Sequence, residues 1–344
     1  SDRSFAPLRR IALPYNGRHA HWLGGKAGRR VIRPVPTVIV RALVAAARTQ
    51  WRFRSCPRAR IAIIAAMAAR LSRRPRVVLI RHAESEFNRA EEAHLDAHPE
   101  LRDDPDRWDT DDVFDPHTFD AELSATGRRQ CLDLCATVAG GHTAPDAAGA
   151  DAVVAALRDT RLVLCSPYTR AIQTAGLVFG TQGDGGRPGG GSGVALRLVP
   201  ELGEHVASSC DIGRVGAVVA ADPAVDTAIA AFPSLPKQLE ILDDGWWGQQ
   251  RPEHFPPGLH LSMRDREPVG AFAKRCAAAA RVVEAEVAAL DGSGGTVAVV
   301  AHSVVFHELT GEWLDNCRPT EVALTRAANG EVSVRIVGTH SADD

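Results

Sequence analysis

The chain has 344 residues, 45% of them hydrophobic, and a formal net charge of −2. It is too apolar for a disordered chain and long enough for one sizeable core or two modest ones. The small net charge conceals two unlike parts: residues 1–75 hold 16 Arg and one Lys against a single acid, Asp2, which leaves 23 basic and 41 acidic residues in the remainder, a charge of about −18.

The arm, 1–75, has the Arg-rich, acid-poor composition of an organellar transit peptide. It suits equally a basic tail that touches anionic partners or folds back on the acidic remainder. Its apolar stretches, 38–47 and 61–71, fall short of the roughly 18 to 20 residues that span a bilayer, and Arg41 interrupts the first. No transmembrane helix and no membrane partner are expected. The seven cysteines are odd in number and scattered, which fits a reducing compartment better than a disulfide framework. The expected location is intracellular: cytoplasmic, or mitochondrial or plastid if the arm is a transit peptide.

From Arg76 onward, 76–344, short β-branched runs alternate with amphipathic segments. This pattern predicts an α/β domain, a three-layer α/β/α sandwich around a mostly parallel sheet. In chain order the strands are 76–80 (RVVLI), 161–165 (RLVLC), 194–199 (VALRLV) and 296–301 (TVAVVA), with 332–337 (VSVRIV) as an edge strand antiparallel to 321–325. Helices are expected at 124–138, 168–179, 269–290 and 304–314, the first capped by Ser124 with Gly127 three residues on. Cys131 and Cys135, four apart on that first helix, read as small buried side chains, because no second pair with zinc-like spacing follows. The acid-rich stretch 103–115 reads as a solvated insertion and lacks the order of a calcium loop. The Gly-rich stretch 181–193 follows a helix and enters a strand, the reverse of a phosphate-cradling loop, and reads as a surface connection.

The ends of the strands carry the chemistry. The first runs into Arg81-His82-Ala83-Glu84-Ser85, the second into Ser166-Pro167-Tyr168-Thr169-Arg170, the third into Pro200-Glu201-Leu202-Gly203-Glu204, and the fourth into His302-Ser303. The carboxyl edge of a parallel sheet is where such folds place ligands. Arginine forks there match phosphate oxygens, and a neutral imidazole nitrogen is a nucleophile toward phosphorus.

These residues resemble the histidine phosphatase superfamily, the phosphoglycerate mutase-like proteins. The segment Arg81 to Asn88 is similar to its opening motif, 120–130 to its D-x-x-L-[ST]-x-x-G-x-x-Q stretch, and Ser166 through Arg170, Ala171 and Thr174 to its S-x-x-x-R-[AT]-x-x-T segment. Glu204 and His302 stand where that family has its acid and its second histidine. Cys210 to Arg214, Trp246-Trp247 and Val300 to Ser303 look most like a eukaryotic phosphomutase-like branch, with Ser303 in place of the glycine common elsewhere; Cys210 and Asp211 would be structural or pocket-lining there.

The resemblance implies that His82 attacks phosphorus while Arg81, Arg170 and His302 hold its equatorial oxygens. Glu204 would protonate the leaving alkoxide and then deprotonate water, a role that needs a raised pKa; burial and the nearby arginines pull that pKa in opposite directions. Asn88 would orient phosphate or substrate. Ser303 and His205 are possible pocket residues, whereas His307 and the two tryptophans read as packing. The cationic side chains do the electrostatic work, so neither metal nor other cofactor is expected. The expected partner is a small phosphorylated metabolite rather than nucleic acid. Hydrolysis of a phosphomonoester is the main reading; mutase transfer and a non-catalytic phospholigand-binding role remain as alternatives.

Overall fold

The computed structural model describes residues 75–102, 115–116, 118–140, 148–180, 194–242, 246–247, 267–290 and 294–339. The basic arm, nearly all of the acidic insertion, the Gly-rich connection and most of 243–266 lie outside them. Four adjacent parallel strands make up one side of a six-stranded sheet: β1 (Arg76–Arg81), β2 (Thr160–Cys165), β3 (Ala195–Leu198) and β4 (Thr296–Ala301). Two more, β5 (Pro319–Arg326) and β6 (Val332–Thr339), complete the order β3-β2-β4-β1-β5-β6. β5 runs antiparallel to both β1 and β6. β6 lies at the edge, where its residues alternate between exposed and half-buried, as its period-two sequence predicts.

β4 is buried along its whole length, which explains why its sequence is continuously apolar rather than alternating. The pleat sends Val78, Ile80, Ala298 and Val300 into one core and Val77, Leu79, Val297 and Val299 into another. The first core is closed by α2 (Ala125–Ala139), α3 (Ala148–Arg158), α4 (Thr169–Phe179), α6 (Asp226–Ala231) and α7 (Leu235–Glu240). The second is closed by α8 (Val269–Ala289) and α9 (Ser303–Thr310). The predicted three-layer sandwich is therefore present.

Two helices escaped the sequence patterns and three more were too short to be read: α1 (Glu86–Ala97), α3, α5 (Gly216–Ala220), α6 and α7. α1 is announced by a reciprocal cap, in which Ser85 N–H donates to Asn88 Oδ1 (3.1 Å) and Asn88 N–H donates to Ser85 Oγ (3.2 Å). An Asn here does the work usually assigned to Glu or Gln. Ser124 caps α2 as expected, accepting from Gly127 N–H at 3.0 Å. Cys131 is buried in that helix but Cys135 is only partly so, because a step of four residues rotates it toward the rim of the buried stripe.

The helix predicted over 304–314 stops at Thr310. Gly311 takes a left-handed φ of 80° and donates to the carbonyl of His307 at 2.7 Å, the usual way a glycine ends a helix. Among the described residues no helix is long and apolar enough to cross a membrane.

Candidate active site

Four parallel strands end at one level. Arg81 pairs with Ala301, and Cys165 pairs with both Val300 and Leu198. His82 N–H then donates to Ala301 O and Ser166 N–H to Val300 O, each at 2.9 Å, which carries the ladder one residue further. His82, His302 and Ser166 are consequently neighbours. The two imidazole centroids lie 5.0 Å apart, and His302 Nε2 is 2.8 Å from Ser166 Oγ. The buried Nδ1 of His302 has no partner among the described residues.

The protonation of His82 follows from its partners. Nδ1 lies 2.8 Å from the carbonyl of Ala83, which only accepts, so Nδ1 carries the proton. Nε2 receives the Nε–H of Arg170 at 3.3 Å and so presents a lone pair. Burial, and then the charges of Arg170 and Arg81, hold the pKa of this imidazole well below the ordinary histidine range. It is neutral at physiological pH and nucleophilic at Nε2.

Arg170 sits in the first turn of α4 and is held on three sides. Nη1 donates to Cys210 O (2.7 Å), Nη2 pairs with Asp211 Oδ1 (3.1 Å), and the guanidinium carbon lies 4.7 Å from the centroid of the Tyr168 ring. Asp211 is anchored in turn, its Oδ2 accepting from Ser208 N–H and Oγ–H at 3.1 and 3.0 Å. The start of α4 is tied down by Asp120, whose carboxylate accepts from Thr169 N–H (2.9 Å) and from Arg214 Nε–H (3.0 Å). Arg81 differs. Its Nη1 donates to Leu314 O at 3.1 Å, while its buried Nε–H has no partner among the described residues, leaving a desolvated donor in a cavity wall.

Glu204 closes the opposite side. Its oxygens accept from His205 N–H (2.9 Å) and Val304 N–H (3.3 Å). Burial, reinforced by the negative charge of Asp211, raises its pKa to about 7 against the opposing pull of Arg170. Burial thus prevails over the arginines, and the carboxyl can exchange a proton near neutrality. The turn carrying it is clamped by Arg275 of α8, which donates to the carbonyls of Glu201 (3.2 Å), Gly203 (2.5 Å) and Glu204 (2.9 Å) and pairs with Glu267.

No protein-family model matches the chain, and no curated protein matches it. Solved structures do resemble it at low identity. The glucosyl-3-phosphoglycerate phosphatase of a mycobacterium is 16% identical over 78% of this chain and 99% of that one, with a TM-score of 0.39. The α-ribazole phosphatase of Shigella flexneri is 18% identical over 77% and 97%, TM-score 0.36. A phosphoserine phosphatase of Entamoeba histolytica, in complex with 3-phosphoglyceric acid, is 12% identical over 78% and 98%, TM-score 0.36.

One cavity of about 570 Å³ gathers seven of the eight sequence-predicted site residues: Arg81, His82, Asn88, Arg170, Glu204, His205 and Ser303. The eighth, His302, is fully buried beside them. Asn88 divides its side chain, Oδ1 serving the α1 cap while the residue also lines the cavity. His205 lines it too, but its Nε2 is 2.8 Å from Glu267 O, which holds the ring. Cys210 is a cavity wall whose thiol is pushed far above its ordinary pKa by burial and by Asp211, so it is not a thiolate nucleophile. Trp246 and Trp247 pack with Tyr168, Val206 and Ile212, the packing role expected of them. His307 stacks on Trp313 at 4.1 Å.

Sequence reasoning missed Arg275, Glu267, Glu91, Phe87 and Trp313. Nothing local ties Arg275 to the site, since the carbonyls it clamps lie more than 70 residues away. Phe87 directly precedes Asn88, and Glu91 follows it by three residues. Neither carries a signal of its own until α1 is known; that helix, at 3.6 residues per turn, is what brings both to the cavity beside Asn88.

Proposed function

We propose that this chain is a metal-independent phosphatase of the histidine phosphatase type that hydrolyses a small phosphomonoester through a phosphohistidine on His82. The observation that carries the reading is the state of His82: buried, neutral, with Nδ1–H spent on Ala83 O and the Nε2 lone pair facing the guanidinium of Arg170.

Nε2 attacks phosphorus in line as the P–O bond to the leaving group breaks. Arg170, the unpaired Nε–H of Arg81 and the imidazole of His302 stabilise charge on the equatorial oxygens. Glu204, in its protonated form, gives its proton to the departing alkoxide, which leaves as an alcohol. It then takes a proton from water, which attacks the phosphohistidine, breaks the P–N bond and releases inorganic phosphate with His82 restored. Asn88 and Ser303 contribute polar atoms to the walls that orient the ester.

The test is phosphate release from a panel of small phosphomonoesters without added metal, by the full chain and by His82→Ala. Turnover that disappears in the variant is expected. Turnover that survives it, or none on any ester, overturns the reading, and transfer between two esters without net release would assign the site to a mutase.

A further inference from the structure

Trp313 stands apart from the other exposed apolar side chains. Phe119, Leu132, Val218, Ile241, Val269 and Val337 are also exposed, yet among the described residues only Trp313, at 63% exposure, also lines the cavity. Its position is fixed from both sides. One face of the indole lies on the imidazole of His307, the rings 4.1 Å apart and within 5° of parallel. Gly311 turns the chain out of α9 two residues before it, and the next residue, Leu314, is buried with its carbonyl held by Arg81 Nη1. The residue that carries this indole is thus bonded directly to the one whose carbonyl anchors a phosphate-binding arginine. The opposite face is open, and the neighbouring walls supply Phe87 and Val304 as apolar surface with Glu91 and Ser303 as polar groups.

We propose that Trp313 is a specificity platform on which the leaving group of the ester stacks, and that the substrates of this site are phosphomonoesters of an uncharged ring with an apolar face. The inference rests on the phosphatase reading and names its substrate class. An aromatic face already packed on one side against the His307 ring gives stacking energy with less further loss of side-chain freedom than an unpacked one. Two kinds of ring share this chemistry, an aryl ring and the C–H face of a hexose, and both are included in the test.

The experiment compares kcat/KM for phenyl phosphate, glucose 6-phosphate and glycerol 3-phosphate in the full-length wild type, Trp313→Ala and Trp313→Phe. The ratio of ring ester to glycerol 3-phosphate is expected to fall about three- to tenfold in Trp313→Ala through KM, with kcat held, and to stay near wild type in Trp313→Phe. A fall for phenyl phosphate alone assigns an aryl ring, and a fall for the hexose ester alone assigns a sugar. Ratios that stay at the wild-type value in Trp313→Ala overturn the platform. If the wild type turns over no ester, the phosphatase reading fails by itself, and the platform is read from titration with phenylphosphonate against methylphosphonate. A phenyl preference that is lost in Trp313→Ala then supports it, and a preference that is absent from the wild type or kept in the variant overturns it.

Discussion

Arg170 donates its Nε–H to Nε2 of His82 across 3.3 Å, so the guanidinium that would grip a phosphoryl group also holds the imidazole in the tautomer with its lone pair on Nε2 and keeps the ring unprotonated. Burial and this charge act in the same direction on the imidazole. Replacing Arg170 with Gln removes the charge, so the His82 pKa moves up toward the ordinary range and the acidic limb of the kcat/KM profile moves to higher pH. The loss of a transition-state donor lowers kcat on the order of 10²- to 10³-fold. Nitrogen-15 NMR of the wild-type imidazole should report a neutral ring protonated at Nδ1; a ring protonated at Nε2 at pH 7 would contradict the mechanism.

In the proposed mechanism Glu204 sets the other limb. As a general acid with a pKa of about 7, it must hold its proton, so kcat/KM is expected to decline as pH rises through 7. In Glu204→Gln that limb should vanish, with kcat lower by about 10²- to 10⁴-fold for esters of poor leaving groups and much less for p-nitrophenyl phosphate. The same shift has a stability consequence. A carboxyl whose folded pKa is above its unfolded value favours folding fully below the unfolded value, and that contribution is lost as pH rises through about 7. The melting temperature of Glu204→Gln relative to wild type should therefore climb between pH 5 and pH 8.

The Arg275 clamp acts on Glu204 from behind. Lysine keeps the charge but lacks the fork that spans the carbonyls of Glu201, Gly203 and Glu204. Arg275→Lys is expected to lower kcat about tenfold, an order-of-magnitude figure for loosened positioning, with KM nearly unchanged and the basic limb of the pH profile displaced. A proportional loss of both parameters with an unmoved limb would reduce Arg275 to a purely structural part.

Gly127 tests the backing of the nucleophile. A Cβ there would meet the carbonyl oxygen of Glu84 at 2.0 Å, two residues beyond His82 and with no flexible side chain to give way. Gly127→Ala should destabilise the fold by about 1–3 kcal/mol, read from denaturant unfolding. Wild-type stability in that variant would mean that the contact between α2 and the His82 loop is looser than described.

The sheet was legible because the continuous apolar runs of β1, β2 and β4 have few other ways to be buried, and the gathering of the candidate site residues in one cavity was legible because they follow those strands directly. His82, Arg170, Glu204 and His302 are each within six residues of a strand end. What the local pattern could not supply were groups that reach the site through helix geometry or distant backbone. Phe87 and Glu91 depend on α1, whose cap uses Asn88; Arg275 depends on where α8 crosses the Glu201 turn; and Trp313 depends on α9 ending at Gly311 rather than continuing to Leu314. The pKa of Glu204 was open for a related reason. Its sign depends on how deeply the side chain is buried, a property of the whole assembly.

The engagement of His82 Nδ1 with the carbonyl of Ala83 decides which chemical isomer a trapped enzyme would contain. With that nitrogen blocked, only the τ-phospho form of the imidazole can accumulate. Protein quenched in alkali during turnover should accordingly react with reagents selective for τ-phosphohistidine and give no signal with those for the π isomer.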